Sequence, residues 1–299
     1  MIVLGAVGNL FFIAPNRWCY VPFGITKHRN INLQLLLIRV RMLNLPQNKP
    51  KWDIARVSHS TLVNADCFDV FPFIDDKSID AIICDLPYGT TACKWDSILP
   101  LNELWKEYKR VLKPNGVIVL TASQPFTSIL ISNDLKMFKY TLVWDKVAVT
   151  NPMLAKKQPM RCHEDIVCFY DKQPTYNPQM RVGMKWSRAG KKQHKTDTLG
   201  QSTLFNNGSD KSKMKYPKSI LTFSNADKTK NEHPTQKPLE LMEYLVKTYT
   251  NEGDMILDNT CGSGTLNLAC LKLNRKSIGI EKEKQYYDVA VRRLSSYCG

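Results

Sequence analysis

An α/β fold built on a doubly wound, mostly parallel sheet is predicted by three features of the sequence. Short apolar runs alternate with stretches of helical periodicity from Ser58 to Tyr170, and again from Pro238 onward. One run, Ile79 to Cys84, ends abruptly in Asp85-Leu86-Pro87-Tyr88-Gly89. This places an acid and an aromatic at the carboxyl end of a buried strand, where open α/β sheets bind ligands. Another run, Met255 to Asp258, enters a loop with Gly262 and Gly264 before a helix starting near Thr265. Glu281 follows the loop by about twenty residues, the spacing of a βαβ unit.

Composition sets the outer limits. The 299 residues suffice for one sizeable α/β core with an added lobe, and a 43% hydrophobic share excludes a disordered chain. A net charge of +15 and an isoelectric point near 9.4 attract polyanions, nucleic acid first and an acidic membrane surface second. The nine cysteines are scattered without a C-x-x-C pair, as small buried hydrophobes in a reducing, intracellular compartment. Cys162-His163 with Cys168 reads as buried and rim residues of one strand, and no metal is assigned.

Residues 1–57 form an N-terminal extension whose role the sequence leaves open. Met1 to Ala14 is apolar but stops at Pro15, too short to span a bilayer and without the basic start of an export signal, so no membrane association is expected. Ile31 to Val40 suits a helix packed on the regular region downstream. Equally, Met42 suits a start, with residues 1–41 an upstream extension.

Residues 58–171 form the first regular half. Thr61 to Cys67 reads as a strand, and Phe68 to Phe73 as a short amphipathic segment. After the strand ending at Asp85, Leu86 precedes a proline and is pushed to extended geometry, and Gly89 lets the chain turn away. A carboxylate, a carbonyl and an aromatic face held there are suited to gripping a planar base by its amino hydrogens while stacking on its ring. Thr90 to Asp96 is a polar loop suited to a lid, with Lys94 and Trp95 available to nucleic acid. Leu101, Leu104, Trp105, Tyr108, Val111 and Leu112 line a helix that Lys113-Pro114-Asn115-Gly116 should stop. Val117 to Thr121 is a buried strand, Pro125 to Ile131 a helix and Tyr140 to Asp145 a strand. Asp165 to Tyr170 comes so soon afterwards that an antiparallel hairpin at a sheet edge is expected.

Between residues 172 and 230 the periodicity collapses. Cations including Arg181, Lys191, Lys192, Lys195 and Lys215 face few acids, with Tyr176, Trp186, Phe205 and Tyr216 interleaved. That combination favours a DNA-contacting segment over a solvated loop. Regularity returns in residues 231–299. His233-Pro234-Thr235-Gln236-Lys237-Pro238 leads into a helix with Leu239, Met242, Leu245, Val246 and Tyr249 on its buried face. The loop after Asp258 lacks the third glycine of the dinucleotide fingerprint and the lysine of a P-loop, which argues against NAD enzymes and P-loop NTPases.

Asp85-Leu86-Pro87-Tyr88 resembles the [D/N/S]-P-P-Y motif of S-adenosylmethionine-dependent amino-methyltransferases. With Leu257 to Thr265 and Ile278 to Glu281 downstream, the chain resembles the β-class DNA amino-methyltransferases, whose catalytic motif precedes the cofactor loop, over roughly residues 60–299. The resemblance implies a seven-stranded sheet in circularly permuted order, with residues 172–230 an inserted target-recognition region. It makes Asp85, Leu86, Pro87 and Tyr88 the catalytic set, although Leu86 stands where the family more often has proline. To the cofactor, S-adenosylmethionine, it assigns Asp66, Asp85, Thr235, Lys237, Asp258, Thr260, Gly262, Gly264, Thr265 and Glu281. Asp258 would meet the cofactor's cationic end and Glu281 its ribose hydroxyls. Helix capping explains Asp66 and Thr235 equally well.

The activity so implied is site-specific transfer of a methyl group to N6 of adenine in DNA, with the base flipped from the duplex. An acid at the first motif position resembles adenine enzymes more than the serine common in cytosine-N4 enzymes. Cytosine N4, RNA, a protein glutamine, or DNA binding without catalysis are the alternatives. A cytoplasmic, nucleoid-associated location is expected, and a homodimer and a restriction partner are left open.

Overall fold

In a computed structural model of the chain, residues 2–4, 10–14, 17–20, 52–89, 97–150, 152–182, 214–225 and 236–298 are described. Two compact units divide between Arg41 and Met42. In the first, β1 (Ile2–Leu4), β2 (Leu10–Ala14) and β3 (Arg17–Tyr20) form an antiparallel sheet. The apolar start therefore contains strands. Ile31 to Val40, read as a helix, lies outside the described residues.

The second unit is a nine-stranded sheet of β4 (Asp53–Val57), β5 (Ser60–Asn64), β6 (Ile79–Asp85), β7 (Leu112–Ala122), β8 (Phe138–Thr150), β9 (Arg161–Phe169), β12 (Ile220–Thr222), β13 (Met255–Asp258) and β14 (Lys276–Glu281). The order is β12-β8-β9-β7-β6-β13-β14-β5-β4. Five strands, β7-β6-β13-β14-β5, pair in parallel, and β8 and β9 form the expected antiparallel hairpin. The predicted seven strands are extended by short strands at both edges. β12 runs parallel to β8, and β4 antiparallel to β5. The sheet thus begins ahead of the boundary drawn at Ser58, and residues near Ile220, assigned to the insert, belong to it. Among the described residues of that insert, β10 (Arg181–Val182) pairs with β11 (Met214–Lys215) in a two-residue ladder.

Alternation along β6 divides the core. Ile82 and Cys84 point to a layer containing Leu104, Tyr108, Phe126 and Leu130, while Ala81 and Ile83 point to Leu241, Leu245, Leu266 and Cys270. The first layer is supplied by α2 (Leu101–Val111) and α3 (Phe126–Asn133), the second by α4 (Leu239–Tyr249) and α5 (Thr265–Lys272). α6 (Lys284–Cys298) covers the β5 and β4 end through Tyr287, Ala290 and Leu294.

Three local expectations change. Strand β5 stops at Asn64, because Asp66 caps the single turn α1 (Cys67–Val70), its side chain accepting from the Phe68 N–H at 3.0 Å. Lys113-Pro114-Asn115-Gly116 does not form a turn after α2. The chain passes directly into β7, and the register with β6 shifts there to absorb the exposed residues. On α4, Leu239 is only half-buried and Leu241 is in the core instead.

Candidate active site

Parallel pairing brings the carboxyl ends of β5, β6, β7, β13 and β14 to one edge, and the antiparallel β9 brings its amino end there. Asp85 closes β6 beside Thr121 of β7. The Thr121 hydroxyl donates to Asp85 Oδ1 at 2.5 Å and the Tyr88 hydroxyl to the same oxygen at 2.7 Å. Burial pushes the Tyr88 hydroxyl well above its ordinary pKa, with the Asp85 charge adding, so it remains a neutral donor. Its ring stacks on Phe126, centroids 5.4 Å apart at 27°. The Leu86 side chain is buried in the core. Leucine at this motif position therefore serves packing.

The loop from Asn259 to Gly264 is tied to β6. The Thr260 hydroxyl donates to the Asp85 carbonyl at 3.1 Å. Asn259 Oδ1 accepts from the Tyr108 hydroxyl at 2.6 Å and from the Cys84 thiol at 3.0 Å. Asp258 is 6% exposed, and among the described residues no cation pairs with it. Burial, helped by the Asp85 and Glu281 charges, pushes its carboxyl up to about 8. Glu281 accepts from the Gly262 and Glu283 N–H groups, each at 2.8 Å. Burial raises its pKa while those two donors oppose the rise.

A cavity of about 520 Å³ runs along this edge, from Asp66 and Glu281 past Asp258 and Thr260 to Asp85 and Tyr88. Gly262 and Thr265 also line it. Asp66 lines it while serving as the α1 cap and pairing with Lys282 at 3.1 Å.

Two cofactor assignments move. Gly264 does not line the cavity. Its φ is +70°, and a Cβ there would lie 2.9 Å from Ala290 Cβ, so it lets α6 pack against the turn. Lys237 lies on the Asp85 carboxylate, Nζ 2.5 Å from Oδ2, while its neighbour Gln236 accepts from Ser263 Oγ at 3.0 Å. Thr235, and Lys94 and Trp95 of the proposed lid, lie outside the described residues. Residues that sequence reading passed over also line the cavity: Lys146 and Glu164, from β8 and β9. Thr121 and Glu164 had no motif to mark them; strand register places Thr121 beside Asp85, and Glu164 lies 3.5 Å from Lys237. Cys162, His163 and Cys168 all lie along β9, and among the described residues no group of metal-ligating side chains forms a site.

This edge defines a class of fold before any comparison: an open α/β sheet with an acid-closed strand and a glycine-containing loop lining one cavity at the carboxyl ends of its parallel strands. A family model for DNA methylases of the N6/N4 type matches residues 79–292. The chain belongs to that family, in its β-class arrangement. M.HpaI of Haemophilus parainfluenzae, a Type II methyltransferase, is 32% identical over 241 residues, covering 75% of this chain and 70% of that protein. M2.LlaDCHI of Lactococcus lactis subsp. cremoris, also Type II, is 29% identical over 262 residues, covering 79% and 90%. Among solved structures, the M1.HpyAVI–SAM complex is similar with a TM-score of 0.56 and 27% identity, over 79% of this chain and 98% of that one. The cytosine-N4-specific PvuII DNA methyltransferase has a TM-score of 0.56 at 13% identity, over 81% and 93%, and shares the fold.

S-adenosylmethionine is accordingly the cofactor, and the cavity fits it. Asp258, a carboxyl raised by burial and with no cation paired to it among the described residues, suits the cationic amino acid end. Each Glu281 oxygen accepts one N–H and keeps a lone pair for a ribose hydroxyl. No helix among the described residues is long and apolar enough to cross a membrane.

Proposed function

We propose that the chain methylates N6 of adenine at a specific DNA sequence, in the restriction–modification setting of its Type II relatives. The observation that carries this reading is Asp85, an acid at the first motif position, joined through Thr260 to the cofactor loop.

An aromatic amine has its lone pair delocalised into the ring and is a poor nucleophile until its hydrogens are held out of plane. Asp85 and the Leu86 carbonyl accept those hydrogens and direct the lone pair toward the cofactor side of the cavity. Thr121 and Tyr88 hold Oδ1 and Lys237 holds Oδ2, whose second lone pair accepts from the amine. Tyr88, backed by Phe126, offers a ring against which the flipped base stacks. When bound, S-adenosylmethionine supplies the electrophilic sulfonium methyl. Positive charge arising on the nitrogen is stabilised by the Asp85 carboxylate.

Lys237 holds Asp85 rather than the cofactor, and Thr260, Asp258 and Glu281 form the cofactor wall. Residues 172–216 are proposed as the target-recognition region, supported by their cations and aromatics. The test is mass spectrometry of nucleosides from unmethylated DNA treated with the protein and S-adenosylmethionine. N6-methyldeoxyadenosine is expected; N4-methyldeoxycytidine in its place would overturn the adenine assignment.

A further inference from the structure

Behind Asp85 the cavity wall contains a buried row of charges, of which the reaction just described uses only the end. Lys146 pairs with Glu164 Oε1, Glu164 Oε2 lies 3.5 Å from Lys237 Nζ, and Lys237 Nζ lies 2.5 Å from Asp85 Oδ2. Lys146, Glu164 and Lys237 are only 10%, 12% and 9% exposed at their side chains. Signs alternate along the row, and its two ammonium groups balance its two carboxylates. Burial opposes the charge of Lys237, but Asp85 and Glu164 outweigh that and raise its pKa, so the ammonium stays charged. Glu164 has no free oxygen for a substrate: Oε1 is taken by Lys146, and Oε2 is sealed from solvent and accepts no hydrogen bond.

A lysine by itself is a poor device for orienting a carboxylate. Its ammonium is a point charge on a flexible stem, and unlike a guanidinium it does not fix the plane of the group it bonds. Yet the direction of the Lys237 bond matters here. Asp85 Oδ1 accepts from Thr121 and Tyr88, Lys237 takes one lone pair of Oδ2, and the amine needs the other. Where Nζ lies therefore decides which lone pair of Oδ2 is left. Within ion-pair reach of Nζ, the second carboxylate is Glu164, and Lys146 keeps that carboxylate from swinging away. The same ammonium lies 5.6 Å from the centroid of the Tyr88 ring, so its place bears on both walls of the base site.

We propose that Glu164 is a positioning residue: clamped by Lys146, it anchors the Lys237 ammonium, which in turn fixes the Asp85 carboxylate with the second lone pair of Oδ2 open to the target amine. This rests on Asp85 being the amine acceptor. Glu164 touches neither the base nor the cofactor in this role and acts only through Lys237. Its charge also makes the burial of that lysine tolerable, since the row stays neutral.

A double-mutant cycle tests it, using methylation of unmethylated duplex DNA by the full chain with tritiated S-adenosylmethionine. Glu164→Gln keeps the shape and removes the anchoring charge, so kcat should fall about tenfold while KM for DNA and cofactor affinity change less than about threefold. Lys237→Met should lower kcat to a similar extent, and adding Glu164→Gln to it should change kcat less than about twofold, because the two residues act in series. The thermal midpoint verifies folding of each variant. If the orphaned Lys146 ammonium unfolds Glu164→Gln, the pair Glu164→Gln with Lys146→Met leaves the row neutral and should show the same fall in kcat. An equal fall in kcat with and without Lys237 would mean that the Glu164 charge acts on the amine directly. That result, a change in KM alone, complete loss of turnover in Lys237→Met, or parental kinetics in Glu164→Gln overturns the anchoring and leaves Asp85's role intact. Full turnover by Asp85→Ala would instead remove the reading on which the anchoring rests, and the anchoring with it.

Discussion

Asp258 shows what a single side chain implies for the behaviour of the site. Its folded pKa of about 8 lies above the ordinary 3.8, so between those values the folded protein holds a proton that the unfolded chain has released. Its ionisation therefore costs stability progressively as pH rises through that window. A cationic amino group bound beside it favours the ionised form, so S-adenosylmethionine binding at pH 7 should release close to a proton. Affinity should rise with pH up to about 8 and then level off. Calorimetry at pH 7 in phosphate and in Tris should give heats differing by the buffers' ionisation enthalpies, a difference that Asp258→Asn abolishes; buffer-independent heats would contradict this role. Asp85, Asp258 and Glu281 were legible in the sequence because each closes an apolar strand followed by a proline or glycine turn or a helix. Thr121 and Glu164 were not, since Thr121 meets Asp85 only through pairing of β6 with β7, and Glu164 meets Lys237 only once β9 is folded against the segment before α4. Lys237 was marked by the resemblance of His233 to Pro238 to the family's lead-in and assigned there to the cofactor; only the fold shows that it meets Asp85.

At the scale of elements, the periodic segments were the readable ones, and edge strands the ones missed. β4 is largely exposed and β12 buries only Leu221, so neither carries an apolar run that would reveal it. The end of α2 misled for another reason. Lys113-Pro114-Asn115-Gly116 has turn chemistry, yet pairing with β6 draws it into β7. The turn into α5 makes a quantitative expectation. Gly264 and Gly253 both have positive φ, +70° and +83°, but a Cβ at Gly253 meets nothing within 4 Å while one at Gly264 meets Ala290 and Leu294. Each alanine substitution carries the left-handed penalty of about 1 kcal/mol, and only Gly264→Ala adds overpacking of roughly 1–3 kcal/mol. Urea denaturation of the two variants should show that gap. Equal losses would mean that α6 yields to the added methyl without cost.

Over the whole molecule, the charge of +15 was the first sign of a polyanionic partner, and membership of the DNA methylase family accords with it. What charge could not show is which surface meets the DNA. Phosphate contacts position a protein without reading sequence, so neutralising Lys191, Lys192 and Lys195 together should lower affinity for every duplex and flatten its salt dependence, by a slope of about 0.9 for each phosphate no longer neutralised. Fluorescence anisotropy at several salt concentrations checks this, and an unchanged slope would move the DNA-binding surface elsewhere. On the proposed function the chemistry falls at Asp85, which β6 delivers to the edge of the cavity that Asp258, Thr260 and Glu281 also line. The most direct measurement is therefore the modified-base content of DNA from cells expressing either the parent chain or Asp85→Ala, read beside cofactor affinity of the two purified proteins. N6-methyladenine at a recurring sequence with the parent and none with Asp85→Ala, at cofactor affinities within about tenfold of each other, is the predicted result. Equal methylation by both proteins, or none by either, would contradict it.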